Sequence, residues 1–116
     1  MSNTSNGYTR AVHNLSTGVV NISGGTVSAT SGRAVHNNTT GALTISGGTV
    51  QATAANSYGV YNNTTGAVTI SAGTVSAVTN GRAVHNQAAG VVTIHSPPAI
   101  ILPEGNGTTG TIVWVP

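Results

Sequence analysis

The chain has 116 residues, 16 of them Gly, with no Cys, no Phe and one acidic side chain, Glu104, against three arginines, Arg10, Arg33 and Arg82. A sequence pI near 9.7 therefore describes a nearly uncharged protein. Three cations cannot build the clustered field that neutralises several phosphates, so no nucleic-acid partner is expected. No apolar run approaches the roughly 20 residues that cross a bilayer, so no membrane insertion is expected either.

In chain order, residues 1–9 are polar and broken by Asn6-Gly7, and read as a lead-in or partial first coil. From Arg10 the chain repeats itself. The tetrad Ala-Val-His-Asn starts at Ala11, Ala34 and Ala83, with the variant Gly-Val-Tyr-Asn at Gly59, so the copies lie 23, 25 and 24 residues apart. A fixed period of this size is the mark of a stacked array. Each copy holds three short alternating segments, the pattern of a strand with one buried face. The first segment carries Val12, Val35, Val60 and Val84. The second carries Ile22, Ile45, Ile70 and Ile94. The third carries Val27, Val50 and Val75. Gly-containing turns separate the segments, and no stretch has helical spacing with caps.

Three strands and three corners in about 24 residues describe one rung of a parallel β-helix, whose rungs stack at about 4.8 Å. The expected fold is all-β: a right-handed β-solenoid of about four rungs spanning residues 10–96, with the Val and Ile columns inside. The hand follows from the general preference for right-handed parallel crossovers. After Ile94 the expected Ser-Gly-Gly-Thr-Val gives way to a Pro-rich run. Proline cannot donate to a central ladder, so residues 97–116 read as a final strand pair that covers or terminates the core, with Trp114 packed over its end.

The run GRAVHNNTTGALTISGGTV, residues 32–50, resembles the Gly/Thr/Val repeats of large bacterial cell-surface proteins of the Gram-positive type. It is more distantly similar to the β-helix repeats of polymorphic outer-membrane adhesins. The resemblance covers residues 10–96. It implies a parallel β-helix displayed outside the cell with a stalk or adhesive role, and it carries over no functional residues. The residues themselves add only weak support for an extracellular site: no Cys and no Lys. The chain shows no signal peptide, so a secreted protein would contain it as a fragment beginning at Met1.

The chemistry on offer is sparse. β-Helix hydrolases and lyases need paired carboxylates or a metal on acidic oxygens, and Glu104 stands alone. A non-catalytic protein without cofactor or metal is expected. His13, His36, Tyr61 and His85 fall in one outward file. Two neighbouring imidazoles can share a transition metal, but a plain surface ladder is the preferred reading. Arg10, Arg33, Tyr58 and Arg82 form a second column on that strand, and such groups can stack on sugars or on partner side chains. These eight residues are the candidate ligand face, for a glycan or a protein surface. Asn14, Asn37, Asn62 and Asn86 recur at a corner as an amide ladder. Outward Thr and Ser files admit an ice-binding solenoid, although Asn21, Gln51 and His95 interrupt them. An N-terminal end without an obvious cap admits a fibre subunit stacking on itself end to end.

Overall fold

The structure is a computed structural model. It describes residues 2–3, 9–15, 17–38, 40–63, 65–78, 81–86, 90–95, 99–102 and 111–115, with only the backbone for residues 2, 3, 9, 102, 111, 112 and 114. Pro97, Pro98, Pro103, Glu104 and the Trp114 side chain, which the sequence assigns to the terminating segment, lie outside the described groups.

The described residues form strands and turns and contain no helix. The chain is an all-β parallel solenoid with three strands per rung. A two-residue strand, β1 (Ser2–Asn3), precedes the first rung of β2 (Thr9–Asn14), β3 (Val20–Ile22) and β4 (Thr26–Ala29). The second rung is β5 (Gly32–Asn37), β6 (Leu43–Ile45) and β7 (Thr49–Ala52). The third is β8 (Tyr58–Asn62), β9 (Val68–Ile70) and β10 (Thr74–Ser76). Then come β11 (Arg82–Asn86), β12 (Val91–His95), β13 (Ile100–Leu102) and β14 (Thr111–Val115).

Corresponding strands of successive rungs assemble three parallel sheets. One, here the arginine sheet, runs β2-β5-β8-β11; the second runs β3-β6-β9-β12-β14; the third runs β1-β4-β7-β10-β13. Register follows the repeat residue by residue. Val12 pairs with Val35, Val35 with Val60 and Val60 with Val84. Ile22, Ile45, Ile70 and Ile94 form the matching file of the second sheet, and Val27, Val50 and Val75 that of the third. Eight of these side chains, Val35, Val60, Val84, Ile45, Ile70, Ile94, Val50 and Val75, are at most 1% exposed. Each such burial contributes about 1.5–3 kcal/mol, which is how a chain with so little charge and no disulfide holds a core.

The arginine sheet departs from simple alternation. Ala34 and Val35 are consecutive, yet both belong to the core, as do Ala83 and Val84. The ladder pairs Arg with Arg and Val with Val and skips the alanine between them. Two successive inward residues bring the preceding Arg and the following His to the same outer face. Val is therefore not the segment's single inward apolar residue, as the pattern alone suggests.

The two ends of the stack are built differently from its middle. At the start, β1 pairs in register with β4. The first-rung core is less complete: Val12 is half-buried, and with Val20, Ile22 and Val27 it lines an open concavity of about 480 Å³ at that end of the stack. At the other end, β13 occupies the place of the missing Gly-Thr-Val strand, setting Ile101 on Val75. Strands β13 and β14 do not pair with each other; each extends a different sheet, β14 lying on β12. Hydrophobic register fills the slot although the motif has gone.

Candidate functional site

Two columns meet on the outer face of the arginine sheet. Arg10, Arg33, Tyr58 and Arg82 are in register across four successive strands, and so are His13, His36, Tyr61 and His85. The sequence reading places all eight here as an open ladder. In the structure the second file is partly roofed by the first. His13 is exposed, but His36 is 4% and His85 6% exposed. The cause is the offset that the paired inward residues create, which lets each long side chain lie across the rings.

Arg10 Nε donates to His36 Nδ1 at 2.6 Å, and Arg82 Nη1 lies 3.1 Å from His85 Nδ1. A guanidinium only donates, so each Nδ1 accepts and the ring proton sits on Nε2. The guanidinium carbon of Arg33 stands 3.9 Å from the centroid of the Tyr61 ring and 5.7 Å from that of Tyr58, within the range of a cation–π contact. The rings also pack on one another. His13 and His36 stack at 4.7 Å and 12°, Tyr61 and His85 at 5.0 Å and 20°, and His36 meets Tyr61 edge on.

Electrostatics follow from this packing. Burial, then the nearby charges of Arg33, Arg10 and His13, pushes His36 down to about 3. Burial first, then Arg10 and Arg33, also lowers His13. The imidazole of His36 is thus neutral at pH 7, and its buried Nε2 has no hydrogen-bond partner among the described residues. The same geometry is poor for a shared metal. Stacked rings turn their faces, not their lone pairs, toward each other, and the Nδ1 lone pair of His36 is engaged by Arg10. No group of three or more His, Cys, Asp or Glu side chains gathers among the described residues.

The asparagine corner is a continuous internal chain. Asn14 Nδ2 donates to Asn37 Oδ1 at 3.0 Å, Asn37 to Asn62 at 3.1 Å, and Asn62 to Asn86 at 3.1 Å. Each Nδ2 also donates to the carbonyl four residues on, at Gly18, Gly41, Gly66 or Gly90. That second bond explains the fixed Asn-to-Gly spacing. Buried amides stay satisfied within the wall, so the ladder closes a corner and offers nothing to a ligand.

Ser57 was not singled out by its sequence context. It is 1% exposed, accepts from the Gly32 amide at 3.2 Å and donates to the Ala55 carbonyl at 3.3 Å. It follows Asn56, whose φ of 59° is left-handed. The 25-residue interval between the second and third tetrads is the one available signal, because the longer corner must lie there. On the third sheet, Gln51 Nε2 donates to Ser28 Oγ at 3.4 Å, where the sequence interrupts the hydroxyl file.

The family model described as Beta helix repeat matches residues 20–41 and 43–60. Those segments contain strands β3 to β7 and the first three residues of β8. The match, like the coordinates, supports a β-helix repeat fold. No curated protein and no solved structure matches it.

Proposed function

We propose that this chain is a non-catalytic, extracellular repeat module of a bacterial surface protein, serving as a stalk or adhesive display surface. The observation that carries the reading is the division of labour between faces. Every interior column is a repeated apolar or amide file, while all three arginines and the two repeat tyrosines lie on one lateral face. A rigid scaffold that presents one chemically distinct stripe suits display. A lone carboxylate and the absence of Cys leave little with which to build general acid–base or nucleophilic chemistry. The test is antibody labelling of intact cells of the source organism, with an antibody raised against the purified module. Surface labelling supports the reading; labelling only after permeabilisation overturns it.

A second reading, growth of a fibre by end-to-end stacking, has its own observation. The outermost strands of the arginine sheet, β2 and β11, carry the same pentapeptide, Arg-Ala-Val-His-Asn. A following copy in register would continue the Val and Asn files. Electron microscopy with sedimentation tests it: filaments support stacking, and a monodisperse monomer at high concentration excludes it.

A further inference from the structure

One strand stands beyond the rest of the stack at each end. Among the described residues the arginine sheet has four strands, and each of the other two sheets has five. The extra strand of the third sheet is β1, which lies against β4 at the start. The extra strand of the second sheet is β14, which lies against β12 at the finish. These steps project from different sheets, so a second copy fits both at once. Because both sheets hold five strands, one shift of five rungs sets its β1 on β13 and its β3 on β14. Laying its β2 directly on β11 is a shift of four rungs, which drives its β3 into the place of β14. With the five-rung shift, the Val and Asn files of the arginine side continue after an interval of one rung.

Each contact repeats a pairing that the fold already makes. Val20, Asn21 and Ile22 share their register positions, rung by rung, with Ile112, Val113 and Trp114. Strand β3 on β14 therefore places Val20 at the position above Ile112 and Ile22 at the position above Trp114, apolar on apolar. On the third sheet the following copy's Ser2 falls at the position above Leu102.

The start of the stack is also where the core is least closed. Ile22 and Val27 are each 7% exposed, whereas Ile45, Ile70, Val50 and Val75 are 0%. With Val12 and Val20 they line the concavity of about 480 Å³, whose lining residues are all uncharged. Sheets that avoid edge pairing protect their edges with charges or prolines; β3, β13 and β14 contain neither. We propose that this concavity receives the β14 end of a second copy in the register just described. Such a head-to-tail contact uses different surfaces on the two partners and so repeats into an open filament. The proposal deepens the fibre reading and rests on it.

Two single-cysteine chains test the register. Asn21 and Val113 are both exposed and hold matching positions, so stacking brings them about 4.8 Å apart. In a concentrated mixture under mild oxidation, Asn21→Cys and Val113→Cys chains should give the mixed disulfide in roughly fivefold or greater excess over either homodimer. Thr69→Cys in place of Asn21→Cys keeps the same file but lies inside the stack, and should not crosslink to Val113→Cys. A charge pair probes the contact without oxidation. Asn21→Lys with Val113→Lys in one chain should raise the concentration needed for assembly roughly tenfold or more, and Asn21→Lys with Val113→Glu should restore assembly. Sedimentation and electron microscopy read the assembly, and circular dichroism checks that each variant keeps its fold. Filaments that form without the mixed disulfide, or that ignore the charge variants, overturn this interface and leave the fibre reading standing. A monodisperse monomer at high concentration, its end closed within one chain, overturns both.

Discussion

Asn37 and Asn62, 25 residues apart in the chain, are joined directly across adjacent rungs, the Nδ2 of one donating to the Oδ1 of the other at 3.1 Å. The same nitrogen of Asn37 bonds the Gly41 carbonyl at 3.1 Å, so one amide ties its own corner shut and locks it to the next. Both side chains are fully buried. The corner is therefore a hydrogen-bonded spine running parallel to the apolar files.

Asn62→Ala is expected to lower unfolding free energy by about 2–4 kcal/mol, because it leaves the Asn37 donor and the Gly66 carbonyl without this partner in a buried site. The control is Asn63→Ala. Asn63 bonds Asn38 at 3.3 Å on the exposed side, and its loss should change stability by less than about 0.5 kcal/mol. Urea unfolding followed by circular dichroism measures both.

Two turn glycines should respond very unequally to the same substitution. Gly48 has a φ of +79°, and a Cβ there would sit 2.6 Å from the Gly25 carbonyl oxygen of the rung below. Gly48→Ala combines left-handed strain with a backbone clash, and should cost about 2 kcal/mol or more. At Gly24 an added Cβ meets nothing within 4 Å, so Gly24→Ala should be nearly neutral. Thermal unfolding of the two variants gives the comparison.

Much of this architecture was legible because the repeat carries it redundantly. The spacing of Val12, Val35, Val60 and Val84 dictates a common file, and the ladders place them in one. What the pattern could not convey was local. Ala34 faces the core beside Val35, a break in alternation that no hydrophobicity count reveals. That break sets Arg10 on His36, so the expected surface ladder is half covered. Strand β13 was hidden for a different reason: Ile100–Leu102 keeps the apolar register without keeping the motif. Ser57 was invisible because its value lies in contacts to Gly32 and Ala55 that only the folded corner creates.

His36 makes stability depend on pH in a definite direction. Its folded value is depressed to about 3, against about 6.5 for an unperturbed histidine. Between those values the unfolded chain binds a proton that the folded chain does not, so stability falls as pH drops below about 6.5 and levels off near 3. His36→Gln should flatten this fall in the urea midpoint between pH 7 and pH 4. An unchanged slope would mean that His36 is not the group responsible.

The core files should be felt one residue at a time. Val60 is wholly buried while Val78 is 45% exposed. Val60→Ala should cost about 2 kcal/mol through lost transfer energy and an unfilled cavity, and Val78→Ala less than about 0.5 kcal/mol. Denaturant titration separates them.

The central claim is that equivalent residues of successive repeats stand directly over one another, and paired cysteines test it most directly in a chain that has none of its own. Thr44 and Thr69 are register partners on adjacent strands, and Thr93 is the next along. Adjacent partners are about 4.8 Å apart, inside the roughly 4.4–6.8 Å that a disulfide spans; Thr44 and Thr93 are about twice that distance. Thr44→Cys with Thr69→Cys should oxidise to an intramolecular disulfide, seen by mass spectrometry under native conditions, while Thr44→Cys with Thr93→Cys should remain reduced. Equal or reversed crosslinking of the two pairs would contradict the stacked-rung account.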